Sequence, residues 1–100
     1  MAIIRAWKAK ARLEKFPDYA RHLRERVVPQ LSKLEGYRDI TLLRRDLGEM
    51  AEIRVLTRWD SMEAIRQFAG DNPEIAVVEP EAEAVLVEFD RHVMHFEVVF

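Results

Sequence analysis

Hydrophobic residues in this chain follow two spacings, one typical of strands and one typical of helices. Alternating apolar positions in residues 2–9, 37–45, 51–59 and 91–100 predict four β-strands, because neighbouring side chains on a strand point to opposite faces. Gly48 lies between the second and third segments, so these two are predicted to form a hairpin.

Two segments carry apolar residues at helical spacing. After the first strand they recur every three or four positions, at Phe16, Tyr19, Ala20, Leu23 and Val27. Pro29 predicts an end or a kink in this helix. A second helix is predicted over residues 60–70, where Asp60 and Glu63 have the spacing of a capping box. Pro80 between two glutamates predicts a further helical turn.

The resulting order is strand, helix, strand, strand, helix, strand. This is the β-α-β-β-α-β order of ferredoxin-like folds, in which both helices pack on one face of a four-stranded antiparallel sheet. The sequence therefore predicts an α+β fold and a single domain over residues 1–100, because one hundred residues suit one domain.

The two faces of the predicted sheet differ in polarity. In the third strand, the alternating set Ile53, Val55, Thr57 and Trp59 suits the helix side. The opposite face is predicted to be mixed, with Ile3, Trp7, Leu43, Leu56, Val93 and Val99 among Arg5, Arg54, His95 and Glu97. An apolar patch of this size is typical of a partner surface. A second copy of the chain is the simplest partner, so we expect a homodimer through the sheet faces.

Composition narrows the function classes. The chain is 49% hydrophobic and 34% charged, with a net charge of −2, so no basic surface for nucleic acid is expected. It contains no cysteine, which excludes disulfides, thiolate metal sites and cysteine nucleophiles. No apolar run approaches the roughly 20 residues of a membrane span and no signal peptide is recognised, so no membrane partner and a cytoplasmic location are expected.

Several short motifs resemble the antibiotic biosynthesis monooxygenase family. They are "LTRWDSMEAIRQFAG" after the hairpin, Pro-Glu at 73–74 and 80–81, and the closing "HFEVV". The resemblance covers nearly the whole chain. It implies a dimeric α+β barrel, in which two ferredoxin-like subunits pack sheet to sheet. It also implies chemistry of one of two kinds, namely oxidation of aromatic polyketides without metal or flavin, or haem breakdown.

The haem-degrading pattern of that family matches this chain at one position. It uses an asparagine on the first strand, a tryptophan ending the third strand and a histidine on the helical segment that follows. Trp59 matches the tryptophan, but the first strand has no asparagine and residues 60–80 have no histidine. The cofactor-free oxygenases of the family depend on an Asn/Trp/Arg-type pocket, for which Trp59 and several arginines are available. No cofactor is expected.

Five residues are candidates for a site. Trp59 and Trp7 are predicted to stack on a flat substrate, with core packing as the alternative for each. Arg5 and Arg54 are predicted to bind a phenolate or carboxylate oxygen, unless they form ion pairs at an interface. His95 is the candidate general base because its pKa lies near neutrality; the alternative is a polar network at the dimer interface.

Other polar residues are predicted to have no catalytic role. His22 lies in the charged segment "RHLRER" and is predicted to face solvent. The acids from Glu79 to Glu88 alternate with alanines and are predicted to diverge, whereas hard cations need several convergent oxygens. No metal site is therefore expected.

Two functions fit the sequence best, and haem breakdown, whose pattern matches the chain only at Trp59, is a third. The first is a cofactor-independent monooxygenase that acts on an aromatic or polyketide-like small molecule. The second is a non-catalytic dimer that binds a small apolar ligand or is only structural. A cavity that opens to solvent beside the candidate residues distinguishes the first possibility, or a ligand-binding protein, from a purely structural one.

Overall fold

A computed structural model of the chain describes residues 1–100. The strands are β1 (Ile3–Arg12), β2 (Tyr37–Leu47), β3 (Met50–Trp59), β4 (Glu88–Phe89) and β5 (Met94–Glu97). The helices are α1 (Phe16–His22), α2 (Val28–Leu31), α3 (Met62–Ala69) and α4 (Pro80–Glu83), with a 3₁₀ turn at Leu13–Lys15 and a π-helical turn at Leu23–Val27. None of the helices combines the length and apolar character needed to cross a membrane.

The strands form one antiparallel sheet in the order β2-β3-β1, with β4 and β5 both paired to the outer edge of β1. Residues 90–93 leave this edge between β4 and β5. The prediction of one continuous strand over 91–100 is therefore wrong, since the outer strand starts earlier and is interrupted. With β4 and β5 taken as a single edge strand, the order confirms the predicted ferredoxin-like fold.

The first helical segment continues past Pro29 instead of ending before it. Because proline has no N–H, a regular helix would lose a backbone bond at this position. The π-helical turn at Leu23–Val27 comes directly before, and the Val28 amide donates to the Leu23 carbonyl. The wider turn thus accommodates Pro29 in the last helical turn, α2.

The start of α3 differs by one residue from the capping box predicted at Asp60. Ser61 is the N-cap, and its hydroxyl accepts a bond from the Ala64 amide at 3.1 Å. Asp60 instead pairs with Arg38, with Nε and Oδ1 2.6 Å apart. A serine hydroxyl fills the same role as an aspartate at a helix start, so the helix forms as predicted.

The core lies between the helices and one face of the sheet. One buried cluster packs under α1 and α4 and contains Ala9, Ala11, Tyr19, Leu23, Ile53, Val55 and Ala82. A second packs under α3 and contains Leu31, Trp59, Ala64 and Ile65. The alternating set from Ile53 to Trp59 in β3 is thus buried on the helix side, as the sequence predicts.

The predicted faces of the first and last strands are inverted. Residues paired across an antiparallel ladder share a face, and Arg5 pairs with Thr57 on one side and with His95 on the other. Trp7 pairs with Val55 in the same way. Arg5, Trp7 and His95 therefore lie on the helix face. The sequence predicts Arg5 on the mixed face opposite the helices, whereas it lies on the helix face and is only 5% exposed.

The opposite face of the sheet, which we call the open face, carries both apolar and charged side chains. Ladder pairing places Ile4, Ala6, Lys8, Thr41, Leu43, Glu52, Arg54, Leu56, Met94 and Phe96 on it. Leu43, Met94 and Phe96 are exposed. The mixed composition expected for this face is thus present, with a partly different set of residues.

Candidate functional site

A cavity of about 100 Å³ lies between the helix face of the sheet and the helices. We call it the helix-side cavity. Its wall is mostly apolar, with contributions from β1, β2, β3, α1, α2, α3, α4 and the segment before α4. The polar residues in the wall are Arg5, Tyr19, His22, Gln30, Thr57 and Glu79. An apolar enclosure with a few polar groups is the usual form of a small-molecule site.

Arg5 contributes a fixed positive charge to this cavity. Its guanidinium donates to the Pro73 carbonyl and to the Ile75 carbonyl, the latter at 3.0 Å. Burial lowers its pKa to about 10. No carboxylate forms an ion pair with it, although six ion pairs between other lysines or arginines and carboxylates occur in the chain. A buried cation that lacks a counter-ion suits a ligand with a negatively charged oxygen.

His95 lies next to Arg5 and outside the wall of the cavity. Its Nε2 is 3.1 Å from Nη1 of Arg5. A guanidinium can only donate hydrogen bonds, so Nε2 acts as acceptor and the ring is neutral with its proton on Nδ1. Burial lowers the pKa of His95, the charge of Arg5 lowers it further, and Glu74 partly opposes both. His95 thus reaches the cavity only through Arg5.

The two tryptophans occupy different positions relative to the cavity. Trp7 lines it, and the indole N–H donates to the Asp90 carbonyl at 2.8 Å. Trp59 is fully buried behind the wall, where its N–H donates to the Thr57 hydroxyl at 2.8 Å. Its ring stacks with Phe68 at 6.2 Å between centroids. Thr57 and Phe68 do line the cavity. Trp59, which belongs to the second core cluster, thus supports two residues of the wall from behind.

Arg54 lies on the open face, away from the helix-side cavity. Its guanidinium is 3.8 Å from Glu52, which also pairs with Arg45 at 3.1 Å. This is the ion-pair alternative considered for Arg54. The helix-side cavity therefore brings together Arg5, Trp7 and, by contact, His95. Arg54 lines a second cavity of about 350 Å³, which Trp7 also lines.

His22 lines the cavity, contrary to the prediction that it faces solvent. Its side chain is 9% exposed, and each ring nitrogen lies 3.7 Å from a carboxylate oxygen, Nε2 from Glu79 and Nδ1 from Glu81. Nε2 is buried without a hydrogen-bond partner. The signal that could have found it is the three-residue step from buried Tyr19, which the surrounding charges in "RHLRER" obscured.

Two of the acidic side chains near α4 approach the same residue. Glu79 and Glu81 each place a carboxylate oxygen 3.7 Å from the ring of His22, so the prediction that these acids diverge is wrong for this pair. Glu88 pairs with Lys10 at 3.4 Å. No group of three or more His, Asp or Glu side chains is placed to hold a metal ion.

Comparison with known proteins agrees with the fold described above. The model of the antibiotic biosynthesis monooxygenase family matches residues 2–73. Rv0793 from Mycobacterium tuberculosis has 14% identity and a TM-score of 0.64, with 100% of this chain and 97% of that one covered. SnoaB from Streptomyces nogalater, described as a cofactor-independent oxygenase, has 15% identity and a TM-score of 0.57, with coverages of 98% and 94%.

A third solved structure is a variant of MhuD with two manganese protoporphyrin IX bound per active site. It has 23% identity and a TM-score of 0.58, with 98% of this chain and 95% of that one covered. No curated protein matches the chain. At these identities the likeness to the solved structures shows a shared fold.

Proposed function

The chain belongs to the antibiotic biosynthesis monooxygenase family, and on that premise we propose that it is a cofactor-independent monooxygenase of a small aromatic or polyketide-like molecule. The observation that carries the proposal is the buried, unpaired guanidinium of Arg5 in the wall of an apolar cavity. The activity given for SnoaB, a neighbour of the same fold, supports it.

The proposed reaction needs an acidic substrate, such as an anthrone-type or quinol-type compound. Loss of a proton leaves an oxyanion whose electrons are shared with a ring carbon, and this carbon forms a bond to dioxygen. The resulting hydroperoxide loses water, so one oxygen atom remains as a new carbonyl and the other leaves as water. The O–H bond of the phenol or enol form and the C–H bond of the oxidised carbon supply all four electrons, so the step needs no further reductant.

Each side chain near the cavity has a separate role in this proposal. Arg5 binds the oxyanion, which stabilises charge as it develops in a site with little water. Trp7 provides a flat surface for the ring. His95, expected from the sequence as the base, acts as a positioning residue that holds the guanidinium of Arg5. Trp59 keeps Thr57 in place, and Arg54 has no part in the site.

We also propose that the protein is a homodimer paired through the open face. Exposed Met94, Phe96 and Leu43 form apolar contacts there, and charges of both signs, such as Arg54 and Glu52, lie beside them. A face that carries both signs is self-complementary across a two-fold axis. The cytoplasmic location expected from the sequence stays a prediction.

The second candidate function is ligand binding without catalysis. The position of His95 favours it, because His95 lies outside the wall of the cavity and its Nε2 already accepts a hydrogen bond from Arg5. His95 is therefore not free to act as a base. Haem breakdown has less support, because a cavity of about 100 Å³ is much smaller than the 300–1,000 Å³ or so of typical ligand sites. A haem titration tests it directly, since a Soret shift would favour it.

Oxygen uptake with a panel of anthrone-type and quinol-type compounds tests the monooxygenase proposal. The unmodified protein should consume oxygen, and Arg5→Gln should lose about 100-fold in kcat/KM. The matched control Arg12→Gln changes an exposed arginine at the end of the same strand and should retain activity. Tight binding without uptake by the unmodified protein would favour the binding function. Full activity of Arg5→Gln would refute the role of Arg5.

A further inference from the structure

His22 is a buried polar side chain that the proposed reaction has not yet used. His22 lines the helix-side cavity, and its Nε2 is buried without a hydrogen-bond partner. Leaving such an atom unpaired costs about 1–3 kcal/mol, so a ligand that donates a hydrogen bond to it would be favoured. The nearest acceptor-type oxygens, on Glu79 and Glu81, are both 3.7 Å from the ring.

The backbone next to His22 has the form often found at functional sites. The π-helical turn at Leu23–Val27 begins at the following residue, and both Leu23 and Val27 line the same cavity. A π-helical turn changes the direction of the side chains around it, and such turns are frequent where helices contribute to a site. This turn thus places an apolar surface beside the free nitrogen of His22.

We propose that His22 is the general base, and that it takes the hydroxyl proton of a bound single-ring phenol or enol. The proposal rests on the function proposed above and narrows its substrate class. The helix-side cavity of about 100 Å³ is comparable to the roughly 150 Å³ apolar cavity that holds a benzene molecule. It therefore fits one aromatic ring, which narrows the proposed substrates to single-ring compounds of the quinol type and removes the anthrone-type and polyketide-like ones.

The proton transfer is balanced in atoms and in charge. The O–H bond of the ligand breaks, an N–H bond forms at Nε2 of His22, and the electron pair stays on the ligand oxygen. The carboxylates of Glu79 and Glu81 compensate the charge of the imidazolium. Arg5 compensates the oxyanion. Two charges thus form in a buried site, and each has an opposite charge nearby.

Other titratable groups near the cavity are less suited to this role. The lone pair at Nε2 of His95 already accepts from Arg5. Burial raises the pKa of Tyr19, so its hydroxyl stays protonated and can only donate to an anionic ligand. Glu79 faces the ring of His22 and serves as its counter-ion. His22 is the group in the wall whose acceptor nitrogen is unused.

Binding of 4-nitrophenol tests the proposal, because its phenol and phenolate forms absorb at different wavelengths. At a pH where the free probe is neutral, the unmodified protein should bind it as the phenolate. His22→Gln should bind it as the phenol. The matched control His92→Gln changes an exposed histidine in the segment between β4 and β5 and should behave like the unmodified protein.

A second measurement covers the case in which His22→Gln does not fold. The imidazole NMR signal of His22 in the unmodified protein should change to that of the protonated ring when the probe binds. Equal phenolate fractions in both proteins, or an unchanged imidazole signal, would overturn the role of His22 while leaving Arg5-dependent oxygen uptake intact. Failure of the unmodified protein to bind the probe would overturn the single-ring assignment.

Discussion

Gly36 is the point where the chain entering β2 passes closest to α3. Its φ is +90°, and a Cβ built there would lie 2.6 Å from the Cβ of Ala64. Ala64 is buried in the first turn of α3, where its amide is bound by Ser61. The Gly36 carbonyl also accepts the Asp60 amide at 2.8 Å. Because neither side of this contact is a flexible side chain, Gly36→Ala should push α3 away from the sheet.

The loss of stability expected for Gly36→Ala has two causes, the positive φ and the close contact with Ala64. A non-glycine residue at positive φ costs about 1–2 kcal/mol, and forcing extra atoms into a packed contact costs typically about 1–3 kcal/mol. Gly36→Ala should therefore lower the free energy of unfolding by about 2–5 kcal/mol. At Gly48, φ is +64° and no atom lies within 4 Å of a built Cβ, so Gly48→Ala should carry only the cost of the positive φ.

Thermal unfolding followed by circular dichroism compares the two variants. Protein concentrations must be equal, because the Tm of a dimer depends on concentration. In a domain of this size 1 kcal/mol corresponds to about 4–8 °C, so Gly36→Ala should melt at least about 5 °C below Gly48→Ala. Equal Tm values would refute the close approach of Gly36 to α3.

Three further predictions concern the site and the open face. Arg5→Gln should raise the pKa of His95, measured by NMR titration, because it removes a neighbouring positive charge; an unchanged pKa would contradict the contact. The pKa of His95 is lowered in the folded state, so the unfolded chain binds this proton more readily. The free energy of unfolding should therefore fall as the pH drops below about 6.5, the ordinary histidine value. In His95→Gln the free energy of unfolding should fall less over the same pH range. Phe96→Asp should give monomers in sedimentation velocity, whereas Phe100→Asp at the fully exposed end should not. A monomeric parent protein would contradict the proposed dimer.

The sequence predicts the order of elements and the buried set of β3 because that strand has one clear alternation. Ile53 and Val55 oppose Glu52 and Arg54, so only one face can pack against helices. In β1 both alternating sets contain apolar residues, and the strand alone does not decide between them. Its face is set by register with β3, where a slip of one residue would exchange the two sets.

The burial of His22 depends on contacts that no local pattern encodes. The sequence of α1, which contains His22, is amphipathic. The segment that covers this helix, residues 76–82, has no regular spacing of apolar residues. Ala76, Val77, Val78, Glu79 and Ala82 from this segment all line the cavity. A side chain at the margin of a helical stripe becomes buried when a distant segment folds over it, and periodicity reports only on its own helix.

The electrostatic balance of the cavity gives the strongest reason to connect Arg5 with a ligand. Burial lowers its pKa to about 10, so the charged form of the guanidinium is less favourable here than in water. Bonds to the Pro73 and Ile75 carbonyls satisfy part of the guanidinium, but they bring no negative charge. Well-packed apolar residues often replace buried charges at no loss of stability, so packing alone does not explain an arginine here. A ligand oxyanion would supply the missing charge, with the proton it loses held at His22 beside Glu79 and Glu81.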